Sequence, residues 1–184
     1  MEELAGTVLA GESFEPLSGR VVVDGGRIEA VEEAPTDSTD IIVPAFVNAH
    51  THLGDSVAKD AAVGLSLDEA VVPPDSLKHR RLQAASRDEL VTAMRRTLSH
   101  MRRTGTVSCL DFREFGVEGA RALRDAAAPL DIDPFIFGSD DPAVLDAADG
   151  YGASGANDAD FTDERAACTA RDAPFAIHAG EPND

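Results

Sequence analysis

Apolar and polar positions change their spacing along the chain, and the change separates two parts. Up to residue 40, short apolar runs broken by polar residues predict strands at 6–10, 21–23 and 27–31. Asp24-Gly25-Gly26 lies between the last two runs and predicts a hairpin turn, because glycine tolerates the positive φ that such turns need. Residues 1–40 are therefore predicted to form a small β-sheet subdomain.

The second part, residues 41–184, opens with a near-continuous apolar run from 41 to 49. Such a run favours a strand buried on both faces in a parallel sheet. Residues 53–85 follow as a long connection with little periodicity, a kind of segment that often forms a lid or a pocket wall. Four polar residues of this connection could each contact a substrate, but a solvated surface role is favoured for all of them: Asp55, Lys59, Asp75 and His79.

Strands and helices alternate through the rest of the chain. Ser86-Arg87-Asp88-Glu89 is a capping box, and it opens a helix whose apolar face holds Leu90, Met94, Leu98 and Met101 before Gly105 ends it. His100 falls on the other face and is predicted to be exposed. Further strands are predicted at 106–112, 134–138, 151–155 and 174–178, and helices at 117–128, 141–150 and 162–171. Five strands alternating with helices indicate βα units around a parallel sheet.

The charge of the chain excludes some partners. Its 34 acidic residues against 16 basic ones give a net charge of −18, which would repel nucleic acid and anionic membrane surfaces. This excess is typical of the highly soluble surfaces of salt-adapted proteins. The chain has neither a signal-peptide start nor an apolar run of about 20 residues, so a cytoplasmic location is expected. Cys109 and Cys168 lie far apart and are predicted to be small buried residues.

Histidines stand at the ends of two predicted strands, where parallel α/β barrels place their chemistry. His50 and His52 are two residues apart on one strand, so their side chains point the same way. His178 ends the fifth strand. Three imidazoles commonly hold zinc with a fourth position left for water, whose pKa falls from 15.7 to about 7. The sequence thus predicts one divalent metal at these residues, with zinc favoured and iron as the alternative. Glu181, three residues past His178, is placed to carry a proton to a leaving nitrogen.

These motifs resemble those of the amidohydrolase superfamily of metal-dependent hydrolases. The segment 43–52 is similar to that family's first barrel strand, and His178-Ala179-Gly180-Glu181 to its fifth. The second motif is close to the form in the branch of adenosine and cytosine deaminases and chlorohydrolases. Residues 149–155 resemble the fourth strand of that branch, and residues 1–43 the small sheet that precedes the barrel. The resemblance implies an incomplete (β/α)8 barrel in residues 41–184.

The resemblance also implies site residues and a reaction. His50, His52 and His178 would bind the metal, and Glu181 would handle protons. No lysine follows Lys78, so the carboxylated lysine that bridges two metals in some branches has no counterpart, which favours a single metal. Where the family has Pro-Gly, this chain has Pro44-Ala45.

The predicted function is hydrolysis of a non-peptide carbon–nitrogen bond in a small cyclic or amide substrate. The family's sixth-strand histidine, eighth-strand aspartate and last three βα units have no counterpart in the 184 residues. The activity is therefore expected to need further strands, from a second polypeptide or a homo-oligomer. The alternative interpretation is a truncated or degenerate half-barrel that binds a metal or a partner without turnover.

Overall fold

A four-stranded sheet forms the first of two units. The computed structural model describes residues 1–72 and 75–180, and the chain divides into Met1–Ala45 and Phe46–Asp184. The strands of the first unit are β1 (Glu2–Ala10), β2 (Glu15–Asp24), β3 (Arg27–Glu33) and β4 (Ile41–Ile42), in the order β3-β2-β1-β4. Gly25 and Gly26 connect β2 to β3 with φ of 57° and 79°. Two positive φ values are what a type I′ hairpin requires, and the predicted turn is confirmed.

The predicted strand at 41–49 is in fact two strands. Ile41–Ile42 pairs parallel with β1 of the small sheet, whereas β5 (Phe46–Thr51) opens the second unit. Pro44 lies between them, has no N–H to donate to a ladder and restricts the residue before it, so the run breaks there. The prediction that both faces of this strand are buried was also wrong. Phe46 and Val47 are 58% and 57% exposed, and among the described strands β5 pairs with only one neighbour.

Five parallel strands form the second unit, in the chain order β5-β6-β7-β8-β9. The strands after β5 are β6 (Thr106–Arg113), β7 (Asp133–Gly138), β8 (Gly150–Ala153) and β9 (Phe175–Ile177). A 3-10 helix at Pro142–Asp146 replaces the helix predicted at 141–150. Neighbours that follow chain order, each reached through a helical segment, are the arrangement of a (β/α)8 barrel with five of its eight strands. The predicted fold class is confirmed.

The long helix α3 (Arg87–Arg103) supplies much of the core. Its capping box is present, because Ser86 Oγ accepts from the Glu89 amide and the Glu89 carboxylate accepts from the Ser86 amide at 2.8 Å. Met94 and Leu98 are fully buried, and α4 (Gly116–Ala127) contributes Leu123 to the same cluster. Cys109 and Cys168 are also buried and unpaired, as predicted. Between β8 and β9 lies α5 (Thr162–Ala170).

The connection at 53–85 holds more structure than the sequence indicated. It contains a 3-10 helix at Leu53–Ala58, α1 (Leu67–Val71) and α2 (Leu77–Ala84). Ser66 and Ser76 cap the two α-helices by accepting from backbone amides in the first turn. Helices of five and eight residues are too short to produce a clear apolar period, which is why the sequence pattern missed them.

None of the described helices is both long and apolar enough to span a membrane.

Candidate metal centre

Three histidines meet at the carboxyl ends of β5 and β9. The Nε2 atom of His52 lies 3.2 Å from Nε2 of His50 and 3.3 Å from Nε2 of His178. The ligand atoms of all three residues fall within 4.8 Å of one another. His50 lies on β5 and His52 directly follows it, and the two side chains meet, as their spacing predicted. His178 follows β9, the strand at the opposite edge of the sheet.

This spacing suits a single ion. Zinc–nitrogen bonds of 2.0–2.1 Å in a tetrahedral shell place ligand nitrogens about 3.4 Å apart. Nε2 of His52 is close to both other Nε2 atoms, and a cation bound among the three nitrogens would satisfy all three lone pairs at once. Neutral imidazole is also the form that binds a metal. The donor set therefore fits a divalent metal such as zinc.

The surroundings fix the tautomer of His178 and favour the neutral form of His52. Nδ1 of His178 lies 3.1 Å from the carbonyl oxygen of Ala153, so it donates to that oxygen and Nε2 keeps its lone pair. Burial, together with the positive charge of Lys78, lowers the pKa of His52 to about 4. His52 can thus present an unprotonated nitrogen at neutral pH, and Nε2 of His178 is the nitrogen that faces the cluster.

Phe112, on β6, lies against all three imidazole rings. Its ring centroid is 5.1 Å from that of His50, 5.8 Å from that of His52 and 4.3 Å from that of His178. Phe137 of β7 stacks on the far side of Phe112 at 5.4 Å. The aromatic pair restricts the positions of the histidine rings and gives the site an apolar base.

A cavity of about 400 Å³ opens beside the histidines. His52 and His178 contribute to its wall, and Phe112 contributes an apolar surface. The opposite wall comes from the connection at 53–85, through Val71 and Val72 at the end of α1 and through the first turn of α2. A cavity of this volume can accommodate a small molecule next to the imidazole cluster.

A chain of ion pairs supports the cavity wall. Lys78 Nζ lies 3.2 Å from Asp55 Oδ2 and 3.0 Å from Glu114 Oε1. Burial disfavours the charged form of Glu114, but the charges of Arg113 and Lys78 outweigh it and lower the pKa of Glu114 to about 2. Lys78, with its side chain 16% exposed, therefore connects the loop after β5 to the end of β6 and stands beside the metal centre.

The chain of charges continues into the interior through Arg113. Its guanidinium pairs with Glu114 and with Asp111, whose Oδ1 lies 3.3 Å from Arg113 Nη1. The other oxygen of Asp111 accepts from the Leu53 amide at 2.5 Å and from the Thr51 hydroxyl at 3.0 Å. Asp111 thus holds the backbone that carries His52. Gly54 permits this packing, because a Cβ there would lie 2.2 Å from Arg113 Nη2.

Sequence reasoning found some of these residues and missed others. It placed the three histidines together and predicted His100 as exposed, which it is. It favoured a solvated surface role for Asp55 and for His79, but both residues line the cavity. Asp55 is also the residue that pairs with Lys78. An aspartate and an arginine in the apolar strand 106–113 were the available signal for the buried pair, since charges are rarely buried unpaired. Glu181 lies outside the described residues.

Comparison with known proteins decides the family. The family model described as "Amidohydrolase family" matches residues 41–184, more than half of the chain. The chain belongs to the amidohydrolase family. A relative from Methanothermobacter thermautotrophicus, provisionally named an aminohydrolase, is 40% identical over 148 residues, which cover 77% of this chain and 38% of the relative. An uncharacterised protein of Methanocaldococcus jannaschii is 34% identical over 163 residues, covering 82% of this chain and 43% of that protein. The chain thus spans less than half the length of these relatives.

Solved structures show the same fold. Zinc-complexed atrazine chlorohydrolase from Arthrobacter aurescens aligns with a TM-score of 0.71 at 18% identity, over 100% of this chain and 54% of that one. The 5-methylcytosine deaminase from Klebsiella pneumoniae, liganded with 5-fluorocytosine, aligns with a TM-score of 0.69 at 14% identity, over 100% of this chain and 52% of that one. The sheet of this amidohydrolase therefore corresponds to part of a larger barrel.

Proposed function

We propose that this chain is the metal-binding portion of a hydrolase that acts on a non-peptide carbon–nitrogen bond of a small cyclic or amide substrate. The convergence of His50, His52 and His178 at the strand ends carries the proposal. Family membership supports it, as do fold relatives that are a zinc-complexed chlorohydrolase and a cytosine-type deaminase. A divalent metal bound there would supply a Lewis acid that makes water nucleophilic at neutral pH.

Different residues of the chain are assigned metal binding, positioning of the ligands and proton transfer. The three imidazoles would hold the ion, and the carbonyl of Ala153 keeps His178 in the tautomer that can bind it. Asp111 fixes the turn after His52 through the Leu53 amide. We assign Glu181 the proton transfer from the attacking water to the leaving nitrogen, on the sequence argument that it follows His178 by three residues.

We further propose that additional strands cover the two ends of the sheet and complete the active site. Among the described strands, β5 and β9 each have one paired edge, and Phe46, Val47 and Ile177 are exposed there. An unpaired edge with apolar side chains is a template for association. The strands would come from outside residues 1–184, from the same polypeptide, a second polypeptide or a second copy of this chain.

Zinc titration of the purified chain tests the metal centre. We expect one zinc ion per chain by calorimetry, and a loss of binding of at least about tenfold in His178→Ala, because one of three protein ligands is removed. His100→Ala, which removes an exposed histidine from α3, is the matched control and should bind zinc like the wild type. Equal binding by His178→Ala and His100→Ala would disprove the site.

Complementation tests the need for further strands. The chain would be assayed against a panel of heterocyclic amines, alone and co-expressed with the C-terminal part of the Methanothermobacter thermautotrophicus relative. We expect ammonia release only from the complex, and a mass in solution above that of one 19.3 kDa chain. Metal binding without turnover in either form would favour the alternative, a half-barrel that binds a metal or a partner. Full activity of a monomer would disprove the need for more strands.

A further inference from the structure

His79 occupies a position that the proposed mechanism does not use. It lies in the first turn of α2 and lines the same cavity as His52 and His178. Its Nδ1 is 2.7 Å from the hydroxyl oxygen of Ser76, the residue that caps α2. Ser76 is only 3% exposed, so its hydroxyl has little access to water as an alternative partner.

The contacts of Ser76 determine which nitrogen of His79 carries the proton. Ser76 Oγ accepts from the backbone amide of His79 as the helix cap. The hydroxyl hydrogen of Ser76 needs an acceptor. Within the described part of the chain, the hydrogen-bond partner that can accept it is Nδ1 of His79. A buried hydroxyl that donates to Nδ1 leaves the proton on Nε2. Neutral His79 can therefore offer an N–H donor to a ligand in the cavity.

The other cavity-lining groups indicate what that ligand is. Val71, Val72 and Phe112 contribute apolar side chains to the same cavity. Both cations among the described lining residues, Lys78 and Arg113, are paired with carboxylates. Among its described side chains, the cavity therefore offers no unpaired cation to an anionic group, and any further positive charge would come from the proposed metal. It suits a neutral molecule that carries a hydrogen-bond acceptor.

We propose that His79 is a specificity-determining residue that donates a hydrogen bond from Nε2 to a carbonyl oxygen or ring nitrogen of a neutral heterocyclic substrate. The assignment rests on the proposed function, because it places this substrate beside the histidine cluster. It narrows the substrate class from small cyclic or amide compounds to uncharged rings that present an acceptor. His79 selects the ligand and does not take part in the chemical step.

The test measures binding of a substrate-like ring independently of metal binding. Binding of pyrimidin-2-one, a neutral ring with a carbonyl, and of orotate, an anionic pyrimidine, would be measured by NMR titration on the metal-free complex of this chain with the C-terminal part of the Methanothermobacter thermautotrophicus relative. His79→Leu removes the donor, whereas His79→Gln keeps an N–H near the position of Nε2. Long-range proton–nitrogen correlation on the wild type would report which nitrogen of His79 is protonated.

We expect pyrimidin-2-one to bind better than orotate, with binding weakened about fivefold in His79→Leu and restored to within about twofold in His79→Gln. A fivefold change corresponds to roughly 1 kcal/mol, the usual net contribution of one hydrogen bond. Any of four results would overturn the assignment: a proton on Nδ1, no binding of pyrimidin-2-one, unchanged binding by His79→Leu, or tighter binding of orotate. Zinc binding judges the proposed function separately, because these measurements are made without metal.

Discussion

Replacement of Arg113 by methionine tests whether the buried ion pair holds the turn after His52. The Arg113 side chain is 3% exposed and Asp111 is fully buried, with 3.3 Å between Nη1 and Oδ1. At an effective dielectric constant of 20, two charges at that distance attract by about 5 kcal/mol. Removing one partner of a buried pair typically costs about 3–5 kcal/mol, because the other charge is left uncompensated. Arg113→Met should therefore lower the free energy of unfolding by about 3–4 kcal/mol.

The cost should depend on pH in a defined direction. Burial raises the pKa of Asp111 to about 6, and the charge of Arg113 opposes that rise. Without Arg113 the folded-state pKa of Asp111 rises further above its unfolded value of 3.8. The folded variant then holds a proton that the unfolded chain releases, so its stability should fall as the pH increases from about 4 through neutrality. Asp111→Asn added to Arg113→Met should recover part of the loss, since the amide oxygen can still accept from Leu53.

Urea unfolding followed by far-ultraviolet circular dichroism would measure these values, because the chain has no tryptophan to report by fluorescence. Arg121→Met is the control. Its pair with Glu118 on α4 is exposed on both sides, and exposed pairs contribute about 0–1 kcal/mol. If Arg113→Met cost no more than Arg121→Met, or if its cost did not change between pH 5 and pH 8, the reasoning would be refuted.

Three further changes test neighbouring features. Gly54→Ala should cost about 2 kcal/mol in urea unfolding, because a Cβ would displace the Arg113 guanidinium, and an unchanged midpoint would contradict the close packing. Glu114→Gln should reduce the decrease in the free energy of unfolding that the wild type shows at low pH. The pKa of Glu114 is lowered to about 2, so its contribution to stability is present above pH 4.5 and is lost as the pH falls toward 2. A wild-type slope retained in that variant would show that Glu114 does not contribute. Glu181→Gln should keep zinc binding and lose turnover in any active form of the protein, whereas equal loss of zinc would make Glu181 a ligand.

Local signals in the sequence predicted the parts of the fold that local chemistry determines. The glycine pair at 25–26 and the capping box at Ser86 each depend on neighbouring residues, and both are present. The two histidine motifs end strands, and strand ends in a parallel sheet meet at one edge, so their convergence was also predictable.

The parts that were missed depend on residues distant in the chain. The run from 41 to 49 looked like one strand because its hydrophobicity is continuous, while the break depends on which sheet each half joins. Asp55 was interpreted as a surface residue because its partner, Lys78, is 23 residues further along the chain. His79 belongs to no sequence pattern, since its importance comes from a cavity to which α2, β6, β8 and His178 all contribute.

The hydrogen bond between His178 and Ala153 has a consequence for how the site can vary among relatives. Its acceptor is a main-chain carbonyl, which every amino acid supplies, so no substitution at position 153 can delete it. The side chain of Ala153 is 2% exposed, and a larger side chain at this position would have to displace the core residues packed beneath His178. Selection at position 153 should therefore act on volume and leave chemical type free. In a saturation library at position 153 scored for zinc retention, glycine and serine should be accepted, and leucine and phenylalanine should be rejected. The orientation of His178 would then depend on the main chain at position 153 and not on the type of side chain.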